Sequence, residues 1–147
     1  MLIEAKVKTT RVVDNKSRKR TETYLLDKQF FSEAEYKITE ELTEEVDSNL
    51  MVSFEIQSLR MSPIKEVCTQ YSGEKTFIAC LKDVFLEEDG TEKTMKYKVL
   101  LWANNLSEAN TYVHELASQG YNMEIEGIKE VDYYYLTDED GAEQGEG

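Results

Sequence analysis

Leu25-Leu26 leads through Phe31 to Ser32-Glu33-Ala34 and Ile38, and 75 positions later Leu100-Leu101 leads through Leu106 to Ser107-Glu108-Ala109 and Val113. Each stretch is an apolar run that gives way to a helix start. Fixed-period self-similarity indicates one supersecondary unit used twice.

Upstream of the first stretch, Ile3, Ala5 and Val7 alternate with Glu4, Lys6 and Lys8. Period two is a strand with one face buried. Asp14-Asn15-Lys16 is turn chemistry, and Thr21 to Leu26 reads as the second strand of a hairpin with a long loop. Ser32 and Glu35 are spaced as a capping box, and Phe31 and Tyr36 as a hydrophobic staple. Ala34, Ile38, Leu42 and Val46 then form one apolar stripe of a helix. Phe54 and Ile56 open a third strand, whose apolar phase slips after Ser58 to Leu59 and Met61, as at a β-bulge. Pro63 ends regular pairing or confines it to a sheet edge.

The second copy keeps that order. Thr76 to Leu86 is apolar on both faces, Glu88-Asp89-Gly90 is a hairpin turn, and Met95, Tyr97, Val99 and Leu101 alternate on the return strand. Ser107 is placed to cap a helix with Ala109, Tyr112, Val113, Leu116 and Ala117 on one face, and Gly120 to end it. Met123 and Ile125 open the last strand, with a second phase slip at Gly127. The offset there is 69 positions, so the second helix-to-strand connection is six residues shorter.

The expected fold is therefore α+β. It consists of two tandem β-β-α-β repeats, residues 1–67 and 74–136, each an antiparallel sheet with one helix, about an approximate internal two-fold. Together they make a single domain, 1–136, because one such unit alone is marginal. At 147 residues roughly 70% of the unfolded surface can be buried, enough for a core without metals or disulfides. Thr137 to Gly147 holds five acidic residues and no basic ones, and reads as a disordered tail.

No apolar run approaches the roughly 20 residues that cross a bilayer, and the N-terminus has no signal-peptide pattern. A cytoplasmic protein is expected, with Cys68 and Cys80 as thiols rather than a disulfide framework. The net charge of −13 is uneven. Residues 1–73 carry 11 basic and 13 acidic side chains, and residues 74–147 carry 6 and 17. Such a field repels nucleic acid and anionic membranes, so any contact with phosphates must be local.

Catalytic chemistry finds no purchase. His114, the only histidine, sits at the edge of a helical stripe with no nucleophile motif to serve, and no Gly-rich phosphate loop occurs. Glu124, Glu126, Glu130 and Asp132 are abundant carboxylates without an apolar cleft implied around them. No catalytic, cofactor or metal residues are assigned, and no cofactor is expected. Interaction candidates are clearer. Lys16, Arg18, Lys19 and Arg20 cluster in the first hairpin turn, where the equivalent turn carries Glu87, Glu88, Asp89 and Glu92. Tyr133, Tyr134 and Tyr135 are the densest aromatic group, and Trp102 ends a strand just before the second helix. Tyrosine and tryptophan offer large contact area at low entropic cost.

Tyr24-Leu25-Leu26-Asp27, Phe31-Ser32-Glu33-Ala34-Glu35 and Ile56-Gln57-Ser58-Leu59-Arg60-Met61 together resemble a family of small uncharacterised proteins of Bacteroidetes and their phages, classed as a domain of unknown function. The resemblance covers most of the chain, departs in the acidic tail and the basic turn, and implies a bacterial or phage cytoplasmic setting but no catalytic residues. Two readings of function stay open. One is a non-enzymatic interaction or regulatory module with a protein partner, a second copy of the chain included, and with an acidic inhibitor that mimics nucleic acid as a variant. The other is a nucleic-acid accessory protein that holds phosphates through the basic turn. A carboxylate-based enzyme comes third.

Overall fold

The computed structural model describes residues 1–119 and 123–137. The described residues form two helices and two four-stranded, mainly antiparallel sheets, an α+β fold. In chain order the elements are β1 (Leu2–Val13), β2 (Lys16–Asp27), α1 (Phe31–Asp47), β3 (Met51–Met61), β4 (Ile64–Cys68), β5 (Lys75–Leu86), β6 (Glu92–Ala103), α2 (Leu106–Ala117), β7 (Met123–Val131) and β8 (Tyr133–Leu136). The chain divides into two compact units. The first holds Met1–Ser62 and the described residues from Tyr133; the second is Pro63–Asp132.

In the first unit the strand order is β3-β1-β2-β8. Ile3, Ala5 and Val7 of β1, Tyr24 and Leu26 of β2 and Met51 of β3 face Ala34, Ile38 and Leu42 of α1, all buried in one cluster. The alternation of β1 and the four-residue stripe of α1 thus meet face to face. In the second unit the order is β4-β6-β5-β7. Phe77, Ala79 and Leu81 of β5, Val99 and Leu101 of β6, and Ala109 and Val113 of α2 form its cluster.

Both phase slips are bulges. Lys6 faces Ser58 while Val7 faces Ile56, which leaves Gln57 unpaired. Cys80 faces Gly127 while Leu81 faces Ile125, which leaves Glu126 unpaired. Each bulge lies on an edge strand, β3 or β7, and lets both ends of that strand keep their apolar side chains toward the helix.

Four expectations need correction. The first hairpin has no long loop. Val13 pairs with Lys16, and only Asp14 and Asn15 turn the chain, at φ 52° and 63°. Two positive φ values in a two-residue turn match the right-handed twist of the strands, and Asp and Asn tolerate them. Lys16 to Arg20 consequently lie in β2 rather than in a turn.

Both helices also start earlier than their serines. The N-caps are Phe30 and Asn105. The shared residue that caps is the glutamate: Glu33 accepts from the Phe30 N–H at 3.0 Å, and Glu108 from the Asn104 N–H at 3.1 Å. Asn105 completes its cap by accepting from the Glu108 N–H at 2.8 Å, which phenylalanine cannot do. The expected staple does not form, since Phe31 and Tyr36 are both exposed.

The sheets, finally, have four strands rather than three. The residues after Pro63 form β4, which pairs in parallel with β6, and Tyr133–Leu136 form β8, which pairs in parallel with β2. These strands are four and five residues long, too short for a periodicity to be read. Gly120 and the acidic residues from Asp138 onward lie outside the described residues.

Candidate interaction edge on the first unit

β8 covers β2 only from Thr23 to Leu26. From Lys16 to Glu22 no described strand pairs with the outer side of β2. A two-residue hairpin closes on a pair that exchanges both backbone hydrogen bonds, and pairing then alternates along the ladder. Lys16, Arg18 and Arg20 therefore aim their backbone groups at β1, and Ser17, Lys19 and Thr21 aim theirs outward. Two bonds outside the ladder agree with this phase: the Val12 N–H turns away from β2 to the Leu50 carbonyl at 3.2 Å, and the Lys28 N–H reaches the Met1 carbonyl at 3.0 Å.

The same alternation separates the cations. Lys16, Arg18 and Arg20 share the face of Tyr24 and Leu26, the face that carries α1. Lys19 points to the other face, with Lys6 and Lys8. Lys16, Arg18 and Lys19 are exposed, and among the described residues none is held in an ion pair.

Arg20 has a different role. At the root of the hairpin the Glu22 carboxylate is fully buried on the helix side of the sheet. Arg11 Nε and Nη2 grip its two oxygens as a fork, with Nη2 at 2.9 Å. Arg11 Nη1 donates to Glu45 of α1 at 2.8 Å, and the Tyr24 hydroxyl donates to Glu22 at 2.7 Å. Arg20 lies 3.4 Å from Glu22 and donates to the Tyr134 hydroxyl at 3.1 Å. Burial pushes the Glu22 carboxyl up, but the hydrogen bonds from Arg11 and Tyr24 outweigh it and hold the group below the usual carboxylate range. Hydrogen bonding to Glu22 raises Arg11 still further, so both groups are charged at every ordinary pH. Burial, then the neighbouring Glu22, raises the Tyr24 phenol and keeps it a donor. The network ties β1, β2, α1 and β8 together just below the open edge.

The tyrosines divide by the same alternation. Tyr134 faces α1 and stacks on Tyr24 with ring centroids 5.0 Å apart and planes at 22°. Tyr133 and Tyr135 pair with Thr23 and Leu25 and take the opposite face. All three are half-buried, so they form no single exposed patch. Trp102 is half-buried too, on β6 opposite Thr76. His114 is exposed on α2. Cys68 is buried, its thiol pushed up to about 11 by burial and then by Glu66, and Cys80 is half-buried; both are free thiols. Among the described residues no group of three His, Cys, Asp or Glu side chains is placed to hold a metal ion, and no helix is long and apolar enough to cross a membrane.

Sequence reasoning missed Arg11, Glu22 and Glu45. A signal existed: Glu22 falls in phase with Tyr24 and Leu26, so a charged residue occupies the buried side of a strand. Buried charge requires a partner, and Arg11 lies on the same face of β1, four residues nearer the turn than Val7, the residue opposite Glu22.

Residues 1–136 match the family described as domain of unknown function DUF4494. The chain belongs to this family. No curated protein and no solved structure matches it. The family description assigns no activity, so the chemistry of the DUF4494 chain must be argued from its own surface.

Proposed function

We propose that this protein is a non-enzymatic interaction module that docks a protein partner on the basic hairpin of its first unit. One observation carries the reading. Lys16, Arg18 and Lys19 are exposed and, among the described residues, without acidic partners on a strand edge that no described strand covers, in a chain whose net charge is −13. Acidic side chains outnumber basic ones in this chain, yet among the described residues these three cations have no ion-pair partner. The rigid root beneath them supports the reading, because a pre-organised surface loses less entropy on binding.

The test is recovery of partners from native cells with the whole chain and with K16E/R18E/K19E. The proposal expects a partner that is captured by the first, lost with the variant, and released by salt on the scale of a surface-charge interaction. Capture that survives the triple charge reversal rejects this surface.

Nucleic-acid binding is the second reading, supported by Lys6, Lys8 and Lys19 on one sheet face. It expects affinity to fall as a power of salt concentration, with a shallower slope after each lysine is neutralised. We also read the two units as tandem copies of one β-β-α-β design, on the strength of the capping glutamates 75 positions apart and the bulges 69 apart. A bacterial or phage cytoplasmic setting is part of the same proposal; an acidic inhibitor that mimics nucleic acid is a distinct variant, motivated by the excess of acidic residues in 74–147, and it would take a basic partner instead.

A further inference from the structure

We propose that the outer edge of β2, from Ser17 to Thr21, takes a short acidic segment of the partner protein as an added β-strand. The inference rests on the reading of the hairpin as an interaction surface and names the chemistry of its partner.

The edge itself is the first argument. Ser17, Lys19 and Thr21 present outward-facing N–H and C=O groups at strand spacing, which is a template for another strand. The same edge already accepts a strand: β8 pairs in parallel with its other half and begins at Tyr133, opposite Thr23, where the chain enters from Asp132. An incoming segment would pair with β2 beyond that entry point, toward the hairpin turn.

Charge decides what kind of strand fits. A strand beside β2 has side chains on both faces of the sheet. Those on the helix side would meet Lys16 and Arg18, and those on the opposite side would meet Lys19, with Lys8 on the next strand. Cations on both faces call for acidic residues at successive positions, not at every second one. The same cations exclude the simplest alternative. Two copies paired through this edge would set Lys16, Arg18 and Lys19 of one chain against those of its partner, and like charges directly opposite are destabilising. The charged edge thus disfavours its own kind and favours an acidic strand over a neutral one.

The root keeps the edge ready. The Arg11–Glu22 fork and the Arg20–Tyr134 bond fix β2 at the point where β8 begins. The short turn at Asp14-Asn15 fixes the far end. Between them the backbone is already extended.

The experiment uses the whole chain and three probes: a ten-residue Asp/Glu-rich peptide with interspersed Thr and Val, the same peptide N-methylated at alternate residues, and a single-stranded oligonucleotide of equal charge. The proposal expects binding of the plain peptide and slowed amide exchange at Ser17, Lys19 and Thr21. It expects at least about a tenfold loss with the N-methylated peptide, the scale of one or two hydrogen bonds. Thr21→Pro removes one outward N–H while keeping every cation, at a site where edge strands tolerate proline, and should weaken the plain peptide similarly. Circular dichroism and the melting temperature of T21P show whether it folds; the N-methylated arm does not depend on it. Equal binding of both peptides overturns strand addition and leaves the interaction surface standing. Binding of the oligonucleotide in preference to the peptide overturns it in favour of phosphates. Binding of neither probe also overturns it, while the capture experiment above still decides the broader proposal.

Discussion

The two units build the same hairpin root from opposite materials. In the first, Arg11, Glu22 and Arg20 surround a fully buried carboxylate, and Tyr134 on the adjoining parallel strand receives a hydrogen bond from Arg20. In the second, Tyr97 and Met95 stand 75 positions after Glu22 and Arg20. There Lys65 of the adjoining parallel strand sits 5.6 Å above the Tyr97 ring and 3.9 Å from the Met95 sulfur, and the Tyr97 hydroxyl reaches the Met123 sulfur at 3.1 Å. Each root pairs a cation with a tyrosine across the parallel strand, with the roles exchanged. What differs is the consequence of failure. A cation over a ring contributes about 0.5–1 kcal/mol at an exposed site, whereas a buried carboxylate without its arginine is an uncompensated charge. The first unit is therefore the more brittle. Both units leave half of an outer edge open, since β4 pairs with β6 only from Lys98 to Leu101, but only the edge of the first is lined by unpaired cations among the described residues.

The largest effect should follow from breaking the charged root. Arg11→Ala should destabilise the first unit by about 3–5 kcal/mol, read by urea unfolding, while Tyr97→Phe in the second should cost under about 1 kcal/mol. If the two cost the same, the contrast between the roots is wrong. Importing the second unit's chemistry sharpens it: Arg11→Phe, Glu22→Tyr and Arg20→Met together should recover most of the loss, because apolar replacement of a whole buried ion group is often neutral or better.

Acid should act on the same group. The Glu22 carboxyl titrates lower in the folded chain than its reference value of 4.5. Its contribution is thus fully present above that value and lost as pH falls through the depressed folded value. Unfolding on acidification should begin in the first unit, visible as loss of amide protection in β1 and β2 before β5 and β6. The three-residue replacement should remove that difference.

A smaller effect tests the turns. Asn15→Ala places an alanine at φ 63°, and Gly90→Ala places one at φ 87°; each should cost about 1–2 kcal/mol. Asn15→Gly should stabilise the first hairpin by a few tenths of a kcal/mol to about 1. The smallest expected effect is the most informative for function. Neutralising Lys16, Arg18 and Lys19 should change stability by less than about 0.5 kcal/mol, so a loss of partner binding in that variant can be assigned to the surface itself.

The sequence disclosed the parts of this fold that are periodic. Alternation located β1 and β6, the four-residue stripe located α1, and the phase slips after Ser58 and at Gly127 located both bulges within one or two residues. It misread what depends on a partner far away in the chain. The basic run looked like a turn because exposed strand residues carry no apolar signal. β4 was invisible as a strand, and Tyr133–Tyr135 showed strand alternation but not that they form a strand of their own beside β2, because these ladders are set by β6 and β2. The candidate edge was half legible: its cations were found, but the division of those cations between two faces, and the commitment of Arg20 to Glu22, needed the register.

The route of the chain through the units has a consequence for its synthesis. Unit two lies wholly within Pro63–Asp132, and unit one is interrupted by it. A ribosome therefore delivers a contiguous second unit before it delivers Tyr134 and Leu136, the side chains that join Tyr24 and Leu26 in the core of the first. Closure of β2 against β8 spans more than a hundred residues of chain and is the slow, late kind of contact. Until it forms, the outer side of β2 is bare along its whole length, so the nascent first unit is the point at which folding and aggregation compete.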